Sequence, residues 1–177
     1  MNTSSKFIVA THIMATLAGK RIACGPDFAT KSEFLSHSVN TNPVVIRRIL
    51  GSLRKAGLVM SQTGPEGGSR LIDTPEKISL LDIYEAVEEG DLFHLHYNKP
   101  NEDCPFGANV QGTLCSIMAE AESAMKAVLA EKTLMDVTQD IMDRSGISKL
   151  LAAGYTVAQM QEEFAMETGK LVKKETT

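Results

Sequence analysis

Asn40–Val59 reads NTNPVVIRRILGSLRKAGLV, and the fold turns on how this stretch is read. Asn42 followed by Pro43 is a good helix start. The Asn side chain can accept a free backbone N–H, and proline gives up a donor that the first turn leaves unused. From Pro43 on, Ile46, Ile49, Leu50 and Leu53 recur at i, i+3, i+4 and i+7, one apolar stripe for burial. Val44, Arg47, Arg48, Gly51 and Lys55 lie on the opposite face, and Gly57 supplies the terminus. What that basic face meets is the functional question.

Working outward, Lys6 to Gly19 spaces Phe7, Ala10, Met14 and Leu17 by threes and fours, so a helix ended by Gly19 is predicted, with a turn at Cys24, Gly25 and Pro26. A shorter helix fits Thr30 to His37, and SVNTN (Ser38–Asn42) breaks it. Beyond Gly57, LVMSQT reads as a strand, GPEGGS as a glycine-rich tip and RLIDT as the returning strand. Helix, helix, turn, helix and hairpin outline a winged helix-turn-helix. SLLDIYEAVEE (Ser79–Glu89) adds a short helix, and the residues up to Cys104 show no sustained period. From Pro105 to about Ala130, Val110, Leu114, Ile117, Ala121, Ala124 and Val128 step by four, three, four, three and four. Such a heptad-like seam needs a partner surface, and a dimer is expected. LMDVTQDIM (Leu134–Met142) reads as another short helix. Val157, Met160, Phe164 and Leu171 are expected on one amphipathic tail helix, with Lys170, Lys173 and Lys174 near its C-terminal end, where the dipole favours them. The fold class is mainly α with a small β-hairpin wing: a winged helix-turn-helix domain over residues 1–90, a connecting loop over 91–104, dimerisation helices over 105–145 and a partly helical tail over 146–177.

With 177 residues and 43% hydrophobic content, the chain suits one average domain with an appendage. It has no uninterrupted apolar run of about 18 residues and no cleavable leader pattern, so a cytoplasmic protein without a membrane role is expected. Cys24, Cys104 and Cys115 are too few and scattered for a disulfide framework, and reduced thiols are expected. No C-x-x-C pair, G-x-S-x-G elbow or P-loop is present, so no enzyme is expected. The net charge of -4 hides an asymmetry. Residues 1–78 hold 10 Lys/Arg against 5 Asp/Glu, and the remainder 8 against 17. The first part suits a polyanion and the second repels one.

A recognition helix that presents Arg47 or Arg48 to the major groove can make paired hydrogen bonds to guanine O6 and N7, with Val44 on the same face. Asn42 can reach a phosphate or an adenine. Ser4, Ser5 and Lys6, at a helix start, are natural phosphate ligands that fix position without reading sequence. Gly64, Gly67 and Gly68 let the hairpin tip approach the minor groove, where Arg70 is expected to supply charge. Two other readings compete: a merely solvated basic face, and a regulatory protein controlled by a partner docking on the acidic half.

The stretches SKFIVATHIMATLA, SVNTNPVVIRRILGSLRKAGLV, GPEGGSRL, ISLLDIYEAVE and CPFGANVQGTL together resemble the Rrf2 family of bacterial winged helix-turn-helix transcriptional regulators over about Ser4 to Ile141. The NTNPVVIRRIL segment is most similar to its YwnA-like branch. The resemblance implies a DNA-binding regulator, read as a repressor: a homodimer with crossing long helices and two heads on an approximately palindromic operator of double-stranded DNA. It also implies that Arg47 stands where relatives place a base-reading side chain. Cluster-bearing relatives often have arginine before the wing's Gly-Pro; here that residue is Thr63.

Many relatives hold an iron–sulfur cluster through three close cysteines between the wing and the long helix, where this chain has only Cys104 and Cys115. On one helix their eleven-residue separation is about 16 Å, too far to share a cluster within a chain. No cofactor is expected, though His12, His94 and His96 are further candidate metal ligands. Cys104 before Pro105 starts a helix whose dipole favours a thiolate, and together with Cys24 it is a candidate thiol sensor for a redox or other small effector. Cys115, next to the seam, is expected to be packed.

Overall fold

The computed structural model describes residues 3–64, 67–90, 92–93 and 98–174, without the side chains of residues 3 and 4. His94, His96 and the side chain of Ser4 thus lie outside the described residues. Helix α3, Pro43–Lys55, begins where the sequence places it: Asn42 Oδ1 accepts the Val44 N–H at 2.8 Å, and Ile46, Ile49, Leu50 and Leu53 are all buried. Gly57, at φ 75°, turns the chain out of the helix into β1, Val59–Gln62. β1 pairs antiparallel with β2, Gly68–Leu71, placing Val59 opposite Leu71 and Ser61 opposite Ser69. The predicted helix, turn, helix and hairpin are all present.

The first helix differs in length. α1 runs Thr3–Cys24, through Gly19, and stops at Gly25, whose φ of 100° and N–H bond to the Arg21 carbonyl at 2.9 Å end the last turn. An interior glycine costs about 1 kcal/mol of helix propensity. Burying Ala10, Ile13, Met14, Leu17 and Ala18 outweighs that, because these residues are the centre of the head's core. By length and composition Ser5–Cys24 could cross a membrane, but here its apolar stripe faces that core. α2, Ser32–Val39, lies two residues later than predicted and ends on Asn40 in the left-handed conformation.

α4, Leu80–Val87, and α6, Leu134–Ser145, both start in capping boxes, Ser79 with Asp82 and Thr133 with Asp136. The two starts are joined: the Leu80 N–H donates to the Lys132 carbonyl and the Leu134 N–H to the Ile78 carbonyl, each at 2.8 Å. α6 packs along α1, with Leu134 wholly buried in the head's core, so this helix forms part of the head's wall. Between them α5, Pro105–Glu131, extends about 40 Å at 1.5 Å per residue and buries none of its residues fully. Met118, Glu122, Met125 and Leu129 are its half-buried side, and it packs against α4.

The tail departs from the single helix predicted for it. α7, Ile147–Ala152, and α8, Val157–Glu163, are followed by β3, Phe164–Glu167, and β4, Lys170–Lys173, a second antiparallel hairpin. Phe164 and Leu171 therefore lie on strands. Thr168 and Gly169, both at positive φ (47° and 83°), form the left-handed pair that a tight hairpin turn demands, and they override the helical spacing. Lys174 Nζ donates to the carbonyls of Gln161 and Glu162, at 2.8 and 2.7 Å, and so caps the end of α8 from just beyond β4.

Candidate nucleic-acid interface

Between α3 and the β1–β2 wing lies a cleft of about 700 Å³. Arg47, Gly51 and Arg54 form its α3 wall, Ser61–Gly64 and Gly67–Ser69 its wing wall, and Lys31 and Glu33 close it from the start of α2. Val44, Arg47, Arg48 and Lys55 are all exposed, with Val44 at 62% an isolated apolar group on a charged face. Arg48 is exposed outside the cleft lining, so only one of the neighbouring arginines faces the wing. Arg54 and Gly51 complete a row with Arg47 at i, i+4 and i+7. That spacing is legible in the sequence, although Arg54 is not among the residues that the sequence alone assigns to DNA. Glu33 brings a carboxylate into a wall otherwise basic or neutral, with no ion pair to a described residue.

The wing's glycines are required by contact as well as by dihedral angle. A Cβ on Gly68 would stand 2.6 Å from the Thr30 carbonyl oxygen, and one on Gly67 would stand 2.4 Å from that of Gln62. Gly64, at φ 116°, adopts a conformation that side chains disfavour. The close approach at Thr30 fixes the wing: the Thr30 N–H donates to the Ser69 carbonyl and the Ser69 N–H to the Thr30 carbonyl, both at 2.9 Å. Arg70 corrects the sequence reading. Its guanidinium, expected to serve the wing tip, is paired with Asp27, and its side chain is only 30% exposed. Strand alternation turns Arg70 away from Ser69 and toward the loop after α1, where the carboxylate lies.

The start of α1 is less open to phosphate than the sequence suggests. Glu88, which caps the end of α4 and is buried, accepts the Phe7 N–H at 3.1 Å. Burial raises its pKa, while the Phe7 hydrogen bond and the nearby Lys6 charge oppose that rise. Ser5 and Lys6 are half-buried, and the Lys6 charge lies near this acid, whose negative charge would oppose a phosphate there.

Cys104 is the N-cap residue of α5 and is half-buried. The backbone N–H of Gly107, then that of Phe106, hold its pKa below that of an ordinary thiol, against a smaller effect of burial. Cys24 is exposed at the end of α1. Cys115, expected to be packed, is also exposed, because no described residue covers α5 on that side. His12 Nε2 lies 3.2 Å from Ser38 Oγ, bridging α1 and α2. Among the described residues no three His, Cys, Asp or Glu side chains gather as a metal site. The seam residues Val110, Leu114, Ile117, Ala121, Ala124 and Val128 are all exposed, and Phe106 is 85% exposed at the helix start.

Comparison with known proteins agrees with this geometry. The Rrf2 family model, described as an iron-dependent transcriptional regulator, matches residues 3–140. A Bacillus subtilis protein named as an HTH-type transcriptional regulator, YwnA, is 40% identical over 135 residues, covering 76% of this chain and 95% of its own. A crystal structure titled as a DNA-binding protein is similar at 34% identity and a TM-score of 0.57, over 75% of this chain and 97% of that one. A transcriptional regulator structure from Lactobacillus plantarum is similar at 25% identity and a TM-score of 0.64, over 85% and 98%.

Proposed function

The chain belongs to the Rrf2 family of transcriptional regulators, and from that premise we propose that it is a cytoplasmic repressor that binds a palindromic operator as a homodimer. The observation that carries the reading is the α3–wing cleft, where Arg47 and Arg54 stand in one row beside a wing whose glycines clear the approach of a backbone. Arg47 reads a guanine in the major groove, and the wing tip follows the adjoining minor groove. The heads are paired through α5, whose seam buries itself against the same seam of a second copy; two-fold symmetry then calls for a two-fold site. Cys104 is the thiol through which oxidants reach the dimer helix, and no cluster takes part.

The test is titration of duplex DNA from upstream of the protein's own gene at several salt concentrations. Affinity should fall steeply as salt rises, since each phosphate contact releases counterions. Flat, weak binding to every duplex would favour control by a docking partner instead.

A further inference from the structure

A second cleft, of about 580 Å³, opens between the end of α6, α7 and the β3–β4 hairpin. Its size is that of a small-molecule site. Every residue of its lining lies beyond the 3–140 matched by the family model. Leu150, Phe164 and Leu171, all half-buried, give it an apolar floor, while Lys149 from α7 and Lys170 from β4 are exposed on its lining.

The other polar groups of the lining are engaged. Arg144 pairs with Asp140 at 2.8 Å, Asp143 Oδ1 accepts from Gln139 Nε2 at 2.9 Å, and Ser145 Oγ donates to the Met142 carbonyl at 3.1 Å. Lys149 and Lys170 form no ion pair with a described residue, although Glu167 faces Lys170 across the hairpin. The walls are held without a ligand: Gln139 also reaches Ser148 Oγ at 3.1 Å, and Tyr155 meets Phe164 edge-on with ring centres 5.6 Å apart. Two like charges lining one apolar floor are satisfied together by a single anion whose body covers the floor.

We propose that this cleft binds a small amphipathic anion, an aryl or alkyl group bearing one carboxylate or phosphate. The body lies on Phe164, Leu150 and Leu171, and the anionic group sits between Lys149 and Lys170. The site is independent of the DNA-binding face.

The experiment titrates the full chain, followed by amide NMR, with phenyl phosphate, benzoate, benzyl alcohol and inorganic phosphate. Phenyl phosphate or benzoate should saturate, with shifts centred on residues 143–150 and 164–171, and the tighter of the two identifies the anionic group. Benzyl alcohol and inorganic phosphate should each bind about tenfold more weakly or worse, since each lacks half of the recognition. The Lys149→Gln, Lys170→Gln double variant should lose about tenfold in affinity for the aryl anion while keeping the Tyr155–Phe164 contact and duplex binding. Failure of both aryl anions to saturate, equal binding of benzyl alcohol, or unchanged affinity in a folded double variant would overturn the proposal.

Discussion

Arg47 lines the α3–wing cleft while Arg48, one residue and 100° further round the helix, does not, so the proposed reading assigns the two arginines different roles. Arg47→Ala is expected to cost about 1–3 kcal/mol of specific binding and to relax preference at one base position per half-site, as measured on single-substituted operators. Uniform weakening on all sequences would make Arg47 a phosphate contact instead. Cys104 has its own expected signature. Backbone N–H groups stabilise its thiolate, so its alkylation by iodoacetamide should persist to lower pH than that of an ordinary thiol; a profile at or above the ordinary thiol range would remove Cys104 as the sensor. At this scale the sequence placed Asn42 at the start of α3, Arg47 on its exposed face and the glycines at the wing, because each has a local signature in spacing or dihedral preference. It misplaced Arg70 and overlooked Glu88: their partners, Asp27 and the Phe7 N–H, are distant in sequence and no local pattern announces them.

α5 and the wing are the elements on which the proposed action rests. α5 keeps its seam exposed and turns a different side, Met118 to Leu129, toward its own head, so intrachain packing does not use the heptad residues. Leu114→Glu should therefore leave each head folded, give single copies in sedimentation, and weaken operator binding with the lost pairing. A mutant that stays dimeric would refute the seam. In the wing, Gly68→Ala forces a Cβ onto the Thr30 backbone, and overpacking of this kind costs about 1–3 kcal/mol, read as a lower thermal midpoint with DNA binding reduced more than stability. Periodicity made α3, α4 and α5 legible over nearly their whole length. It failed in the tail, where Val157, Met160, Phe164 and Leu171 happen to fit a helix until the Thr168–Gly169 turn decides otherwise.

At the scale of the molecule, the head is closed by contacts between segments remote in sequence, among them α6 on α1 and Glu88 beneath the start of α1. Because burial raises the Glu88 pKa above its unfolded value, its stabilising share is complete at pH below the unfolded carboxylate pKa and is lost as pH rises through the folded one. Glu88→Gln, which keeps an acceptor for Phe7 without a charge, should raise the thermal midpoint at neutral pH and flatten its dependence across weakly acidic pH. A lower midpoint would show that the charge itself is needed, through Lys6. The division of the chain into a head and a long helix could be anticipated from composition shifts and spacing, whereas the return of α6 to the head depends on the Ile78–Leu134 and Leu80–Lys132 hydrogen bonds. The tie between Thr30 and Ser69 has one more consequence. Since β2 is bolted to the residue that leads into α2, the hairpin cannot swing independently of the helices beside it, and the two act as the jaws of a fixed gauge. In the proposed complex a base pair inserted between their contacts would rotate one of them by about 36°, so binding should be sensitive to the phase of the duplex as well as to its sequence.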